Sequence, residues 1–304
     1  MTDSSSEFDS RVGVAVVVVG GGIMGRGIAA AMQDSGQAVT IVETDAGASA
    51  RLRDAGFTVA DALESVVPDA DLVIEAVPEV MAIKEPLWRR LGELARTDAV
   101  LASNTSAFDI DGLASFVAQP QRVLGMHWFT PATVVPCVEL VRGVATADEV
   151  LDRMRQLLSA AGKRPVVVRN SPGFVANRIQ FALVREALLC LEEGLASAED
   201  IDAIVSSSFG PRLAVLGPLA NADLGGLDTY RSILTFLSAQ LGERFAVPRV
   251  LDDLVAEGRL GVKSGRGIYE YTPESASALT SYRDSTLRRV LATVAEAETE
   301  RDQG

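Results

Sequence analysis

The chain has 304 residues, enough to bury a substantial core in one large or two ordinary domains. Its 28 basic and 41 acidic side chains leave a net charge of −13, which repels phosphate backbones and anionic membrane surfaces and argues against nucleic-acid and membrane partners. Two cysteines, Cys137 and Cys190, are too few for a disulfide framework or a paired-cysteine metal site, so both are expected to be free core thiols in a reducing cytoplasm, with no metal.

Residues 1–11 carry no basic region followed by an apolar stretch and read as a disordered, solvated tail rather than a signal peptide. No apolar run near them approaches the roughly 20 residues of a membrane span. From 12 to 170, short β-branched runs alternate with longer helical stretches, as in a parallel sheet covered by helices. Strands are expected at 14–19, 38–43, 57–60, 72–75, 99–103, 123–126, 135–141 and 165–168, and their near-continuous apolar character suits burial on both faces. After Asn170 the β-runs stop, and apolar residues recur at helical spacing over 175–193, 201–205 and 229–241. A boundary near Ser171 therefore divides an α/β domain, 12–170, from an all-α domain, 171–304. Pro172 and Gly173 would turn the chain there, with Ser171 as the N-cap of the next helix. The charged stretch 279–301 reads as a helix, either a solvated end or a partner-binding surface.

Gly20, Gly22 and Gly25, with Ile23 and Met24 between the last two, satisfy GxGxxG after the first expected strand and at the start of a helix. Such glycines permit a tight turn and bring backbone N–H groups up to a pyrophosphate, which the helix dipole also favours. Glu43 closes the second strand 18 positions after Gly25, where a carboxylate accepts hydrogen bonds from the adenosine ribose and repels a 2′-phosphate. NAD is expected over NADP, with Arg26 the one feature that would suit a phosphate.

His127, the only histidine, follows an apolar run at what should be the end of a sheet strand, where ligands of open α/β sheets bind. Glu139, 12 positions on, interrupts a second apolar run, and a carboxylate buried there needs a donor. An imidazole would meet that need, its tautomer fixed by the carboxylate while the ring takes a proton from an alcohol. On these residues alone, a core histidine beside an unrelated glutamate fits equally. The loop Ser103, Asn104, Thr105 and Ser106 puts four small polar groups at another strand end and can hold a substrate oxygen. Asn104 and Thr105 read as well as a turn capping the next helix. Asn177 is either a helix-surface residue or an amide facing a cleft.

Together GGGIMG, DADLVIEAVPE, ASNTS, GMHWFTP, VELV, SPGFVANR and VKSGRGIYEY resemble, in this order and across nearly the whole chain, the 3-hydroxyacyl-CoA dehydrogenase family. The resemblance implies a Rossmann-like domain followed by a helical domain that dimerises, NAD as cofactor, and a small hydroxyacyl or hydroxy-acid substrate. It implies that His127 is the catalytic base, Glu139 its orienting carboxylate, Ser106 a group near substrate and nicotinamide, and Asn177 a polariser of the reacting oxygen. It further implies cofactor contacts for Glu79, Lys84 and Lys263.

The chain departs from the family pattern in three places. Where the family reads HFFNP this chain has His127, Trp128, Phe129, Thr130 and Pro131, so a hydroxyl replaces an amide near cofactor and substrate. Only 26 positions separate Glu43 from Asp69, where the family carries a long helical excursion that helps to hold coenzyme A. Small residues occupy 216–223, which implies a reshaped pocket wall. The expected chemistry is a hydroxyacyl dehydrogenase whose substrate handle is coenzyme A or has changed to a carrier-protein thioester, a free hydroxy acid or an aromatic hydroxymethyl compound. A crystallin-like structural relative or an NAD-sensing protein would tolerate loss of His127, Glu139, Ser106 and Asn177, all of which are present.

Overall fold

The computed structural model describes residues 13–303. The tail expected over 1–11 lies outside them. Contacts divide the chain into two compact units, Met1–Val184 and Arg185–Gly304.

The first unit is built on one eight-stranded sheet. In chain order its elements are β1 (Ala15–Val19), α1 (Ile23–Asp34), β2 (Ala38–Val42), α2 (Ala46–Asp54), β3 (Thr58–Ala60), β4 (Leu72–Glu75), α3 (Met81–Leu94), β5 (Val100–Ser103), α4 (Ile110–Ala114), β6 (Val123–Trp128), β7 (Cys137–Arg142), α5 (Asp148–Ala160) and β8 (Arg164–Arg169). The sheet order is β3-β2-β1-β4-β5-β6-β7-β8, and every pairing is parallel except β6 with β7. The expected Rossmann-like arrangement is therefore present, with its order reversing between β1 and β4, the place where such sheets leave a crevice at their carboxyl ends.

Valine runs make this sheet because β-branched side chains pack well on a pleated surface and alternate between its faces. Val16 and Val18 join one apolar layer with Ile28 and Met32 of α1, while Val17 and Val19 join the other with Trp88 and Leu91 of α3. Each such buried side chain contributes about 1.5–3 kcal/mol relative to exposure. β6 is two residues longer than the apolar run suggests, so His127 lies inside the strand rather than past it. Between β2 and β4 stand only α2, β3 and two short 3₁₀ turns, Leu63–Ser65 and Val67–Asp69.

The helix α6 (Ala176–Glu192) spans the division between the units. Ser171 does not cap it. The N–H groups of Val175 and Ala176 go instead to the side chain of Glu139. Beyond α6 the chain is helical: α7 (Ala198–Ser207), α8 (Gly210–Val215), α9 (Pro218–Gly225), α10 (Leu227–Leu241), α11 (Arg249–Ala256) and α12 (Pro273–Gln303). Asp223 of α9 is wholly buried and accepts from the N–H groups of Ile268 and Tyr269 and from the Tyr271 hydroxyl, so it braces the turn after residue 261. Burial and then that carboxylate push the Tyr271 phenol up. No single helix among the described residues is long and apolar enough to cross a membrane.

A buried ion pair ties the ends of β4 and β5 to α3. Glu75, 0% exposed, accepts from Lys84 Nζ at 2.7 and 2.9 Å, from Ser103 Oγ at 2.7 Å and from Trp88 Nε1 at 3.3 Å. Removing one partner of a buried pair leaves an uncompensated charge, at a cost of about 3–5 kcal/mol. Lys84→Met should lower unfolding stability in urea by that order, and adding Glu75→Gln should recover much of it. Unchanged stability in the single variant would contradict this account.

Candidate active site

A cavity of about 1090 Å³ opens at the carboxyl ends of β1, β2, β4, β5 and β6, and all of its lining lies within the first unit. The glycine turn forms one wall. Gly20 takes φ 103°, and a Cβ there would come within 2.8 Å of the Ala76 carbonyl oxygen. At Gly25 a Cβ would fall 1.9 Å from the Gly20 carbonyl oxygen, so only glycine lets α1 start so close to the strand. Gly22 is the N-cap of α1 and has no side-chain cap, while a Cβ on it would meet nothing within 4 Å. The space beside the start of α1 is therefore open at Gly22, as a phosphate cradle at a helix N-terminus requires. Ile23 and Met24 line the same wall.

Glu43 stands where expected and is already oriented. Its Oε2 accepts from Gly21 N at 3.0 Å and its Oε1 from Asp45 N at 2.9 Å. Two backbone donors thus hold the carboxylate at the cavity wall, suited to a ribose diol and hostile to a 2′-phosphate. The residues present fit NAD.

Across the cavity, Glu79 accepts from Thr105 Oγ1 at 2.8 Å and Ser106 N at 2.8 Å, with Lys84 Nζ at 3.3 Å. Lys84 is 1% exposed and is not part of the lining, its ammonium being taken up by Glu75 and Glu79. Thr105 forms a turn, its Oγ1 accepting from Ala107 N at 3.2 Å and Phe108 N at 2.8 Å, but it does not cap the next helix: Asp109 caps α4 instead. Lys263 belongs to the second unit, where it pairs with Asp228.

His127 and Glu139 face each other directly in the antiparallel register of β6 and β7. Their 12-residue spacing is that of a hairpin pair, and His127 Nδ1 lies 2.8 Å from Glu139 Oε2. Both are nearly buried, at 5% and 3% exposure, and His127 lines the cavity. The other oxygen, Oε1, accepts from Val175 N at 3.1 Å and Ala176 N at 3.0 Å. Burial alone would raise the Glu139 carboxyl, but the bonds from His127, Ala176 and Val175 outweigh it and hold it below the usual range. Phe129 and Phe174 flank the imidazole, with ring centroids at 4.6 and 5.7 Å. Asn177, in the first turn of α6, donates from Nδ2 to the Ser106 carbonyl at 3.0 Å, so the structure brings these two expected residues together as well. Thr130 lines the cavity and donates to Met24 Sδ at 2.9 Å.

Sequence reasoning passed over Glu75, Phe174 and the amide role of residues 175–176. The first had a signal, an acid closing an apolar strand as Glu139 interrupts one. The others depend on tertiary placement alone. Among the described residues no group of three or more His, Cys, Asp or Glu could hold a metal ion.

The family model described as "3-hydroxyacyl-CoA dehydrogenase, NAD binding domain" matches residues 53–171, and the corresponding C-terminal domain matches 173–271. The chain is similar to 5-formyl-3-hydroxy-2-methylpyridine 4-carboxylate 5-dehydrogenase of Mesorhizobium japonicum, at 36% identity over 91% of this chain and 97% of that one. It is also similar to the probable 3-hydroxybutyryl-CoA dehydrogenase of Bacillus subtilis, at 35% identity over 86% and 98%. Among solved structures, the 3-hydroxyacyl-CoA dehydrogenase of Archaeoglobus fulgidus superposes with a TM-score of 0.80 at 33% identity, covering 92% of this chain and 98% of that one. A 5-formyl-3-hydroxy-2-methylpyridine 4-carboxylic acid 5-dehydrogenase, described as an NAD⁺-dependent dismutase, follows at 0.72 and 34%, covering 94% and 99%. By these matches along nearly its whole length, the chain belongs to the 3-hydroxyacyl-CoA dehydrogenase family and is an NAD-dependent oxidoreductase.

Proposed function

We propose that the protein interconverts the alcohol of a 3-hydroxyacyl or related hydroxy-acid compound and its ketone, with His127 as the acid-base. The observation that carries this reading is the Glu139–His127 bond in the wall of the cavity that also holds the glycine turn. An ionised carboxylate can only accept, so Nδ1 carries the proton and Nε2 is left basic toward the cavity. Nε2 takes the hydroxyl proton in oxidation and returns it in reduction. Glu139 stabilises the imidazolium without accepting the proton, consistent with its lowered carboxyl. NAD, when bound, supplies the hydride chemistry.

The Ser106 hydroxyl, which here donates to Glu79 Oε1 at 3.4 Å, would turn from that carboxylate to join Asn177 as a donor to the reacting oxygen, both bonds strengthening as charge gathers there. Asn177 spends one N–H on Ser106 and keeps its second. Glu43 receives the adenosine ribose, Gly20, Gly22, Ile23, Met24 and Gly25 form the pyrophosphate wall, and Glu79 faces the cofactor with Lys84 as the residue that positions it. Residues 12–170 form the NAD-binding domain and 171–304 the helical domain.

A second reading of the substrate rests on the segment between β2 and β4, which holds one helix, a short strand and two 3₁₀ turns. No lysine or arginine lines the cavity among the described residues. Such a wall suits a non-CoA handle, and the Mesorhizobium relative, named for a pyridine carboxylate, matches along 97% of its length. The helical part serves as a homodimer surface. α6 has no fully buried residue and exposes Phe181 and Leu188, and α10 exposes Ile233 and Phe236. Its free, half-buried cysteines and its cofactor suit the cytoplasm.

His127→Gln should lower turnover on the order of 10²-fold or more with NADH binding retained. Glu139→Gln should do likewise, because its amide would donate to Nδ1 and leave Nε2 protonated. Near-native rates in both would refute the acid-base assignment. A panel of 3-hydroxybutyryl-CoA, its carrier-protein thioester, free 3-hydroxybutyrate and an aromatic hydroxymethyl carboxylate, followed by NADH absorbance, should favour a non-CoA member. Ordinary turnover of the CoA ester with neglect of the others would remove the second reading and leave the first. Light scattering should give twice the chain mass, and a monomer at micromolar concentration would exclude the dimer.

A further inference from the structure

Asn104 follows β5 and lines the same cavity as His127 and the glycine turn, yet the chemistry above does not use it. Its Oδ1 lies 3.0 Å from the backbone nitrogen of Trp128, the residue after His127. A peptide N–H can only donate, so the atom facing it must be the carbonyl oxygen, and this settles which way the carboxamide is turned. The backbone beneath is fixed as well, because Asn104 N donates to the Glu75 carbonyl at 2.8 Å.

The amide nitrogen is thereby left with both hydrogens. Nδ2 has no hydrogen-bond partner among the described residues and is not sealed from solvent. Its neighbours are spent on the protein: Ser103 Oγ donates to Glu75, Thr105 Oγ1 donates to Glu79, and Ser106 N does the same. The charged groups on the lining are the carboxylates Glu43 and Glu79, which disfavour an anionic partner for this donor. A neutral carbonyl oxygen needs only the N–H that Asn104 offers.

We infer that Asn104 is a binding residue that donates from Nδ2 to a neutral carbonyl oxygen, belonging either to the nicotinamide carboxamide or to the carbonyl group next to the reacting carbon of the substrate. The same carboxamide holds the Trp128 peptide, so this donor is kept in register with the proton carrier beside it. The inference rests on the dinucleotide and acid-base reading given above.

Asn104→Asp tests it, because a carboxylate oxygen still accepts from Trp128 N while the donor becomes an acceptor. NADH binding is followed by its fluorescence, and KM is measured at saturating NAD for the fastest hydroxy substrate of the panel. If the nicotinamide supplies the oxygen, the Kd for NADH rises on the order of tenfold and the substrate KM holds. If the substrate supplies it, the KM rises on that order and the Kd holds. A native Kd together with a native KM overturns the inference and leaves Asn104 as a tether for Trp128. Should the Asp variant fail to fold, Asn104→Ala is judged on the same two quantities. A native chain that binds no NADH overturns the dinucleotide reading instead.

Discussion

Both oxygens of the Glu139 carboxylate are committed, one to the imidazole of His127 and the other to the first amides of α6. An ionised carboxylate this deep would be costly without donors, and here three of them offset the loss of water. The arrangement does more than satisfy a charge. It fixes the tautomer of the only histidine, and it sets where α6 begins, which in turn brings Asn177 to the carbonyl of Ser106. The orientation of the imidazole and the placement of the Asn177 amide beside Ser106 thus share one origin in a hairpin residue.

The glycine wall of the cavity follows the same economy. Gly20 and Gly25 bring strand and helix so close that a Cβ at either would collide with backbone, and the space saved leaves the first turn of α1 open at Gly22. Glu43 is held by the N–H groups of Gly21 and Asp45, so little side-chain freedom remains for it to lose on meeting a partner. Thr130 reaches back to Met24, linking the segment after His127 to α1.

Much of this is legible in the amino-acid sequence. Valine runs report a sheet buried on both faces because such a strand can carry no polar alternation. The separation of His127 and Glu139 reports a hairpin once β6 and β7 are known to pair, and the glycine turn with Glu43 carries its own geometric reason. What stayed hidden depends on groups distant in sequence. Lys84 reads as a surface lysine or a cofactor contact until Glu75 is seen beside it, and Ser171 reads as a cap until Glu139 takes the amides. The short helices α8, α9 and α11 have too few turns for periodicity to reveal. Asn104 reads as part of a polar turn, because its donor is defined only by the Trp128 backbone.

The hairpin has a consequence for how such an enzyme changes. A one-residue slip within β6 or β7 would turn His127 or Glu139 to the opposite face of the sheet and abolish the pair. The segment between the strands, residues 129–136, is under no such rule, and it is held from outside by Lys163, whose Nζ donates to the carbonyls of Ala132, Thr133 and Val135. Insertions or deletions there would alter the rim of the cavity while the register of His127 with Glu139 was kept. The rim of the cavity and the His127–Glu139 pair thus occupy neighbouring stretches of the same hairpin, joined at Phe129, which both lines the cavity and flanks the imidazole.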